Sequence, residues 1–283
     1  MMTMYEILKK LELAPKIKLF EISASEIAMK AKAGQFVIFR VDEKGERIPL
    51  TLVDWEPKKG TITLIFLEVG ASTIKVGALE VGDKILNVVG PLGNPSDIKN
   101  YGSVAVVCGG VGTVAAYPIA KALKNAGNKI VSIVGARTEE LLVLENEMKS
   151  VSDELYVSTD DGSKGHKGYV SDVLKMLIEK GYHFDIVYAI GPSLMMRATA
   201  NVTKSYSIKT IVSLNPIMVD GMGMCGACRV TVGGETKFAC VDGPEFDADL
   251  VDFNELIQRQ RVYLSQEKQA MCTCKKSGEN KRV

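Results

Sequence analysis

From residue 103 onward the chain alternates short apolar runs with amphipathic ones, and no other feature limits its fold as much. Strands are expected over 103–108, 129–134, 154–158 and 186–190, with helices over 114–125, 139–149 and 170–180. Strands alternating with helices of this length build a doubly wound parallel sheet. After the first of these strands comes Gly110-Val-Gly112-Thr113-Val-Ala115, which opens the first helix. It fits the G-x-G-x-x-A form of a dinucleotide loop, whose glycines let a pyrophosphate approach the backbone. The second strand ends in Gly135-Ala136-Arg137, where an acidic residue for a ribose is usual. NAD and NADP both stay open there, because an arginine either favours a 2′-phosphate or stacks on adenine. Two further strands end in Thr159-Asp160-Asp161-Gly162-Ser163 and Gly191-Pro192-Ser193-Leu194-Met195-Met196. Singly, Asp-Asp-Gly is a common turn and the methionines are ordinary core filler. Together they fall at the sheet edge where such folds bind ligands.

The first hundred residues differ in character. Short strands over 16–22, 35–40, 60–69 and 84–88, uninterrupted by a long helical period, suggest a small antiparallel barrel. Within it, Arg47-Ile48-Pro49-Leu50-Thr51 offers a guanidinium for a phosphate and a hydroxyl for a ring nitrogen or carbonyl, at the start of a strand. Gly70-Ala71-Ser72-Thr73 precedes a helical stretch and offers amides and hydroxyls to a pyrophosphate. The plainer readings are a surface turn and a helix cap.

Near the C-terminal end, Asp220-Gly-Met-Gly-Met-Cys225-Gly-Ala-Cys228, followed by Cys240, gathers three thiols and one carboxylate. Cysteines two residues apart can grip one metal centre from a single turn, and glycines at 221, 223 and 226 let backbone amides donate to sulfur. Cys240 arrives from a hairpin of strands 229–232 and 236–239 joined at Gly233-Gly234. A structural zinc site is the alternative, since zinc takes thiolates at such spacings. Against it, no second C-x-x-C or histidine pair is present, and the nearest fourth ligand is Asp220. An iron–sulfur cluster tolerates one oxygen ligand better than a zinc knot does.

A net charge of +1 argues against a nucleic-acid surface. No run of 18 apolar residues spans a membrane, and the N-terminus lacks the features of a signal peptide, so the cytoplasm is the expected location. There, the six cysteines are ligands or free thiols rather than disulfides. Cys108 is expected to be a small buried residue, and Cys272 and Cys274 to lie in a lysine-rich tail without a role. His166 and His183 are the only histidines, and His166 is expected at the surface.

A barrel with R-x-P-L-T, a sheet with GGVGTVAAYP, then TDDGS, GPSLMM and the D-x4-C-x2-C-x11-C module together resemble the ferredoxin-reductase superfamily, in its dihydroorotate dehydrogenase electron-transfer subunit branch. The resemblance covers roughly residues 5–255. Within that branch, Arg47–Thr51, the run from Asn215 through Asp220 to Cys228, and the segment after Ala239-Cys240 are most similar to the small subunits of electron-bifurcating NADH-dependent reduced ferredoxin:NADP oxidoreductases, earlier described as sulfide dehydrogenases. That similarity implies FAD on the barrel, NAD(H) on the sheet and one [2Fe-2S] cluster on the hairpin module. It implies Arg47, Pro49, Leu50, Thr51, Phe66, Leu67, Gly70, Ser72 and Thr73 around FAD. It implies Gly110, Gly112, Thr113, Arg137, Asp160, Asp161, Gly162, Gly191, Pro192, Met195 and Met196 around the nucleotide, and Asp220, Cys225, Cys228 and Cys240 around the cluster. Dihydroorotate-type subunits carry a cysteine where this chain has Asp220, which favours the bifurcating family. If Asp220 is only a solvated loop residue, Cys272 or Cys274 is the first candidate for fourth ligand.

The implied reaction passes a hydride between nicotinamide and flavin and single electrons onward, with no side chain acting as a strong acid or base. The implied division is 1–98 FAD barrel, 99–212 nucleotide domain, 213–253 cluster module and 254–283 C-terminal helix and tail. The implied partner is a large subunit similar to glutamate synthase small subunits, with its own FAD and [4Fe-4S] clusters, through which ferredoxin is reached. An amphipathic segment, 253–267, either docks on that subunit or covers this chain's own sheet. Two other functions stay open: an electron-transfer subunit of dihydroorotate dehydrogenase or another NAD-linked dehydrogenase, and a zinc-stabilised nucleotide sensor.

Overall fold

The computed structural model describes the backbone of residues 5–279 and the side chains of residues 5–271. Strands β1 (Tyr5–Ala14), β2 (Ile17–Ser23), β3 (Phe36–Arg40), β4 (Ile48–Glu56), β5 (Thr61–Leu67), β6 (Lys84–Ile85) and β7 (Asn87–Leu92) form one antiparallel sheet, with short helices α1 (Ser25–Ala28) and α2 (Ala71–Gly77) between them. Its order is β6-β1-β2-β5-β4-β3-β7. The two edge strands β6 and β7 are separated in sequence by Leu86 alone, so the sheet curls back on itself as a near-closed barrel. Alternation along β4 turns Leu50 and Leu52 into the core with Phe20, Phe39 and Leu64, and leaves Pro49 and Thr51 outside. Phe66 also points inward, edge-on to Phe20 at 5.1 Å between centroids.

The second sheet comprises β8 (Ser103–Gly109), β9 (Lys129–Ala136), β10 (Glu154–Thr159), β11 (His166–Lys167), β12 (Ile186–Ile190), β13 (Thr210–Ser213) and, from far along the chain, β16 (Glu245–Asp247). The order is β11-β10-β9-β8-β12-β13-β16, parallel except for the antiparallel β16. Four helices accompany it: α3 (Gly112–Asn125), α4 (Glu145–Ser150), α5 (Val170–Glu179) and α6 (Ser193–Ser205). One face packs Val104, Val106 and Cys108 against Ile119 and Leu123 of α3; the other packs Ala105, Val107 and Val187 against Val173 and Leu174 of α5. Cys108 is fully buried, and burial pushes its thiol up to about 12, which leaves it inert. The chain runs from β8 outward through β9 and β10 to β11 and then returns to β12 on the other side of β8. That reversal sets the loops after β8 and β12 side by side, the crevice where doubly wound sheets bind ligands.

A continuous helix over 139–149 does not form. A single tight turn, Glu139–Leu141, is followed by an extended link and then by α4, with Leu144 in the left-handed region at φ 57°. The cause is Val143, which is buried with Ala14, Ile17, Val53 and Ile65 of the barrel. The contact between the barrel and the sheet overrides local helix propensity.

The remaining pair, β14 (Arg229–Val232) and β15 (Glu235–Phe238), is a tight hairpin with Val232 opposite Glu235. Gly233 and Gly234 form the two-residue turn with φ of 61° and 79°, the two positive values that a type I′ turn requires. The second strand therefore starts at Glu235, one residue before the expected Thr236. The helical run expected over 253–267 divides into α7 (Phe253–Arg259) and α8 (Leu264–Glu279). Asp252 caps α7 by accepting the N–H groups of Asn254 and Glu255, and Phe253 and Leu256 are buried against the hairpin and α6. This first half covers the chain's own surface, whereas Val262, Tyr263 and Leu264 after it are exposed. The side chains of Cys272 and Cys274 lie outside the described residues. No helix among the described residues is long and apolar enough to cross a membrane.

Candidate cofactor crevice and cluster loop

One cavity of about 840 Å³ runs along the junction of barrel, sheet and cluster segment. That is at the upper end of ligand pockets. The barrel contributes Pro49 and Thr51 from the outward side of β4 and Leu67 from β5. Gly110 and Gly112 enter from the loop after β8, Arg137 from the end of β9, and Gly191 and Pro192 from the loop after β12. Gly112 is dictated by space: a Cβ there would stand 2.3 Å from the Ile190 carbonyl oxygen and 2.6 Å from Gly191 Cα. Gly112 opens α3 beside Gly110, and the next two N–H groups, of Thr113 and Val114, close the turn onto the Gly110 and Val111 carbonyls at 3.2 and 3.1 Å. An anionic pyrophosphate fits that cradle.

Other expected residues lie further out or further in. Arg47 is exposed on the approach to β4. The Thr73 hydroxyl accepts the Val69 and Gly70 N–H groups at 3.0 Å each, a helix cap, and the Ser72 hydroxyl donates to Glu46. Asp160, Asp161 and Gly162 form an exposed turn, tied to Arg137 through the Asp161 N–H and the Arg137 carbonyl at 3.3 Å. Asp161 is held below the usual carboxylate range by the Ser163 hydroxyl and N–H. The side chains of Leu50, Phe66, Thr113 and Met196 are buried and do not line the cavity. Thr113 Oγ1 is left without a hydrogen-bond partner. Met195 packs its sulfur under Gly109 and Gly191. His166 and His183 are both exposed, and His183 faces Asp185 at 3.3 Å.

Several lining residues come from segments no local pattern connects: Phe36, Asn215, Met218, Pro244, Gln260 and Arg261. Gln260 joins two walls, accepting from the Ser193 hydroxyl at 2.9 Å and donating to the Asn215 carbonyl at 3.0 Å. Behind Pro244, Glu245 accepts from the Ser96 hydroxyl at 2.5 Å. Burial pushes this carboxyl up to about 7.

The cluster loop packs on the barrel, where Gly221 sits against Ile38 and Leu92. Cys228 and Cys240 are buried with their sulfurs 3.2 Å apart, and the Gly223 N–H donates to Cys240 Sγ at 3.2 Å. Cys225 is exposed. Asp220 accepts the N–H groups of Met222 at 2.9 Å and Cys225 at 2.7 Å, and these hold its carboxyl below the usual range. Two of the four expected ligands are thus in contact, and Asp220 turns toward the loop's own amides. Among the described residues, no three His, Cys, Asp or Glu side chains are drawn close enough to hold a metal ion. A soft, thiolate-rich donor set with a backbone N–H already aimed at sulfur fits an iron–sulfur cluster.

A family model described as the iron-sulfur cluster binding domain of dihydroorotate dehydrogenase B matches residues 215–252, and one for an oxidoreductase NAD-binding domain matches residues 106–201. The chain is 51% identical over 263 residues, 93% of each protein, to a dihydroorotate dehydrogenase B (NAD(+)) electron transfer subunit homolog of Thermotoga maritima. It is 35% identical over 236 residues to the dihydroorotate dehydrogenase B (NAD(+)) electron transfer subunit of Geobacillus thermodenitrificans, covering 80% of this chain and 89% of that one. Among solved structures, a chain from the NADH-dependent reduced ferredoxin-NADP oxidoreductase, described for flavin-based electron bifurcation, is 49% identical and superposes with a TM-score of 0.90 over 95% of this chain and 96% of that one. With the barrel, the nucleotide crevice and the thiolate loop in this order, the chain belongs to the family of dihydroorotate dehydrogenase B electron-transfer subunits and their homologues, on a ferredoxin-reductase-like fold.

Proposed function

We propose that this chain is the NAD(H)-reacting subunit of an electron-bifurcating NADH-dependent reduced ferredoxin:NADP oxidoreductase. The observation that carries this reading is the single 840 Å³ cavity in which barrel, nucleotide loops and the Asn215–Met218 stretch of the cluster segment share walls. Bound there, FAD supplies hydride exchange with NAD(H) and one-electron release, and a [2Fe-2S] cluster supplies the onward relay. Pro49, Thr51 and Leu67 form the flavin side, where the Thr51 hydroxyl would be available to a polar atom of the ring. The backbone of Leu50 and Phe66 fixes those strands, while Arg47, Gly70, Ser72 and Thr73 meet the flavin phosphates. Gly110 and Gly112, where the backbone is bare of side chains, let the nucleotide pyrophosphate approach the N-terminal end of α3. Arg137, Asp160, Asp161 and Gly162 flank its adenosine end, and Gly191, Pro192 and Met195 its nicotinamide end. Thr113 and Met196 support these loops from beneath.

Asp220, Cys225, Cys228 and Cys240 hold the cluster, with Asp220 as the oxygen ligand. Residues 1–98, 99–212, 213–253 and 254–283 then serve flavin, nucleotide, cluster and C-terminal roles in turn. The partner is a large glutamate-synthase-like flavoprotein carrying FAD and [4Fe-4S] clusters, which reacts with NADP(H) and ferredoxin. A second reading, favoured by the relative at 35% identity, is an electron-transfer subunit for a dihydroorotate dehydrogenase. Anaerobic native purification with mass-spectrometric identification of the partner tests the choice. A glutamate-synthase-like flavoprotein is the expected partner; a dihydroorotate dehydrogenase catalytic subunit overturns the first reading in favour of the second.

A further inference from the structure

Beside the cluster loop lies a second cavity of about 290 Å³, lined by Cys225, Ala227, Arg229, Arg259 and Tyr263 among others. Two guanidinium groups reach the same loop from different elements. Arg229 Nη1 donates to the Gly226 carbonyl at 3.1 Å, and Arg259 Nη2, from the last turn of α7, donates to the Ala227 carbonyl at 3.3 Å. Arg259 Nε is buried and has no acceptor. An always-charged group with an unsatisfied buried N–H is costly unless a negative charge stands nearby.

The loop that Arg259 grips is the one that presents Cys225 and Cys228. A trans peptide sets its N–H opposite its carbonyl. Carbonyls 226 and 227 drawn toward the arginines therefore turn the N–H groups of Ala227 and Cys228 away from them. The helix that carries Arg259 is anchored on both sides, because Asp252 caps its start and Gln260, the next residue, is bonded to Ser193 and Asn215. A cluster bound by thiolates is anionic, and reduction adds a further negative charge. A cation held beside it favours the reduced form, and half-buried Arg259, with its Nε out of solvent, is screened less than the exposed Arg229.

We propose that Arg259, assisted by Arg229, is a positioning residue that raises the reduction potential of the cluster held on the Cys225–Cys228 loop. The inference rests on the assignment of that loop to a [2Fe-2S] cluster. The test is a redox titration of the intact, cofactor-loaded protein followed by electron paramagnetic resonance, with iron content measured in parallel, for wild type, Arg259→Gln and Arg259→Lys. Arg259→Gln is expected to shift the cluster potential downward at unchanged iron content, and Arg259→Lys, which keeps the charge, to stay nearer wild type. An unshifted potential in Arg259→Gln with a normal wild-type signal overturns the inference alone. Loss of iron in both variants also overturns it, by making Arg259 a contact that only folds the loop. A wild-type protein without a [2Fe-2S] signal sinks the cluster assignment first and the inference with it.

Discussion

The nucleotide crevice and the cluster loop share the wall at Asn215–Met218, but the chain holds them by different means. At the crevice, backbone meets backbone: Gly112 lies against the Ile190 carbonyl, Gly191 against Gly109, and fully buried strands stand behind both. At the cluster loop, a run with three glycines in the left-handed region is held by amides on Asp220, by one N–H on Cys240 and by two arginines on carbonyls. Close packing fixes a shape before any ligand arrives. A loop held by a few partly exposed hydrogen bonds takes its final shape with its metal, so binding and local folding become one event.

The largest expected effect lies on the cluster side. Cys228→Ser should leave almost no cluster iron while FAD stays bound, as read by iron analysis and visible absorption; retained iron would mean that the loop does not depend on its thiolates. Next comes the crevice, where Gly112→Ala forces a Cβ into the Ile190 carbonyl. A loss of about 3 kcal/mol in urea stability is expected, with roughly tenfold weaker NADH binding. A tolerated alanine with full affinity would show that packing there is looser than it looks.

Glu245, at the junction of barrel and cluster segment, gives the third test. Its folded pKa of about 7 lies above the ordinary 4.5, so the folded state prefers the protonated carboxyl. Stability from this group is fully present below about pH 4.5, declines as pH rises through that window and is gone above about 7. Glu245→Gln, which can still accept from Ser96, should match wild type in acid and exceed it by about 2 kcal/mol at pH 8, a value reduced from the full shift because the residue is only partly buried. Melting temperatures across pH measure it, and a constant offset would refute it. The smallest effect belongs to the hairpin turn: Gly234→Ala, at φ 79°, should cost about 1 kcal/mol. Hydrogen exchange should place that loss in β14 and β15, with NADH affinity unchanged.

Much of the crevice was legible because its parts are local. Strand, glycine loop and helix follow one another within a few residues, so periodicity and loop chemistry together marked Gly110, Gly112, Arg137 and Gly191. Strand β1 carries no clear period, because bulges between Ile7 and Lys9 and between Glu12 and Ala14 interrupt its alternation and leave Leu8, Leu11 and Leu13 outside. The broken helix near Val143 answers to a barrel surface more than seventy residues away in sequence, which no window senses. Gln260, Arg261 and Arg259 carry no motif at all. Their placement follows from how α7 docks beneath the hairpin, and only the folded chain reveals which walls they join. For Asp220 the sequence position was visible, but its carboxyl spends both oxygens on nearby amides, a geometry set by the loop's glycines rather than by spacing.

The antiparallel addition of β16 to β13 has a consequence for how this protein can be divided. A nucleotide-binding fragment cut after Ser213 would expose the free side of β13, a ready template for strands from other molecules. The segment matched to the iron–sulfur domain is thus also the selvedge of the sheet, and removing it would be expected to leave a fragment that sticks to its own kind.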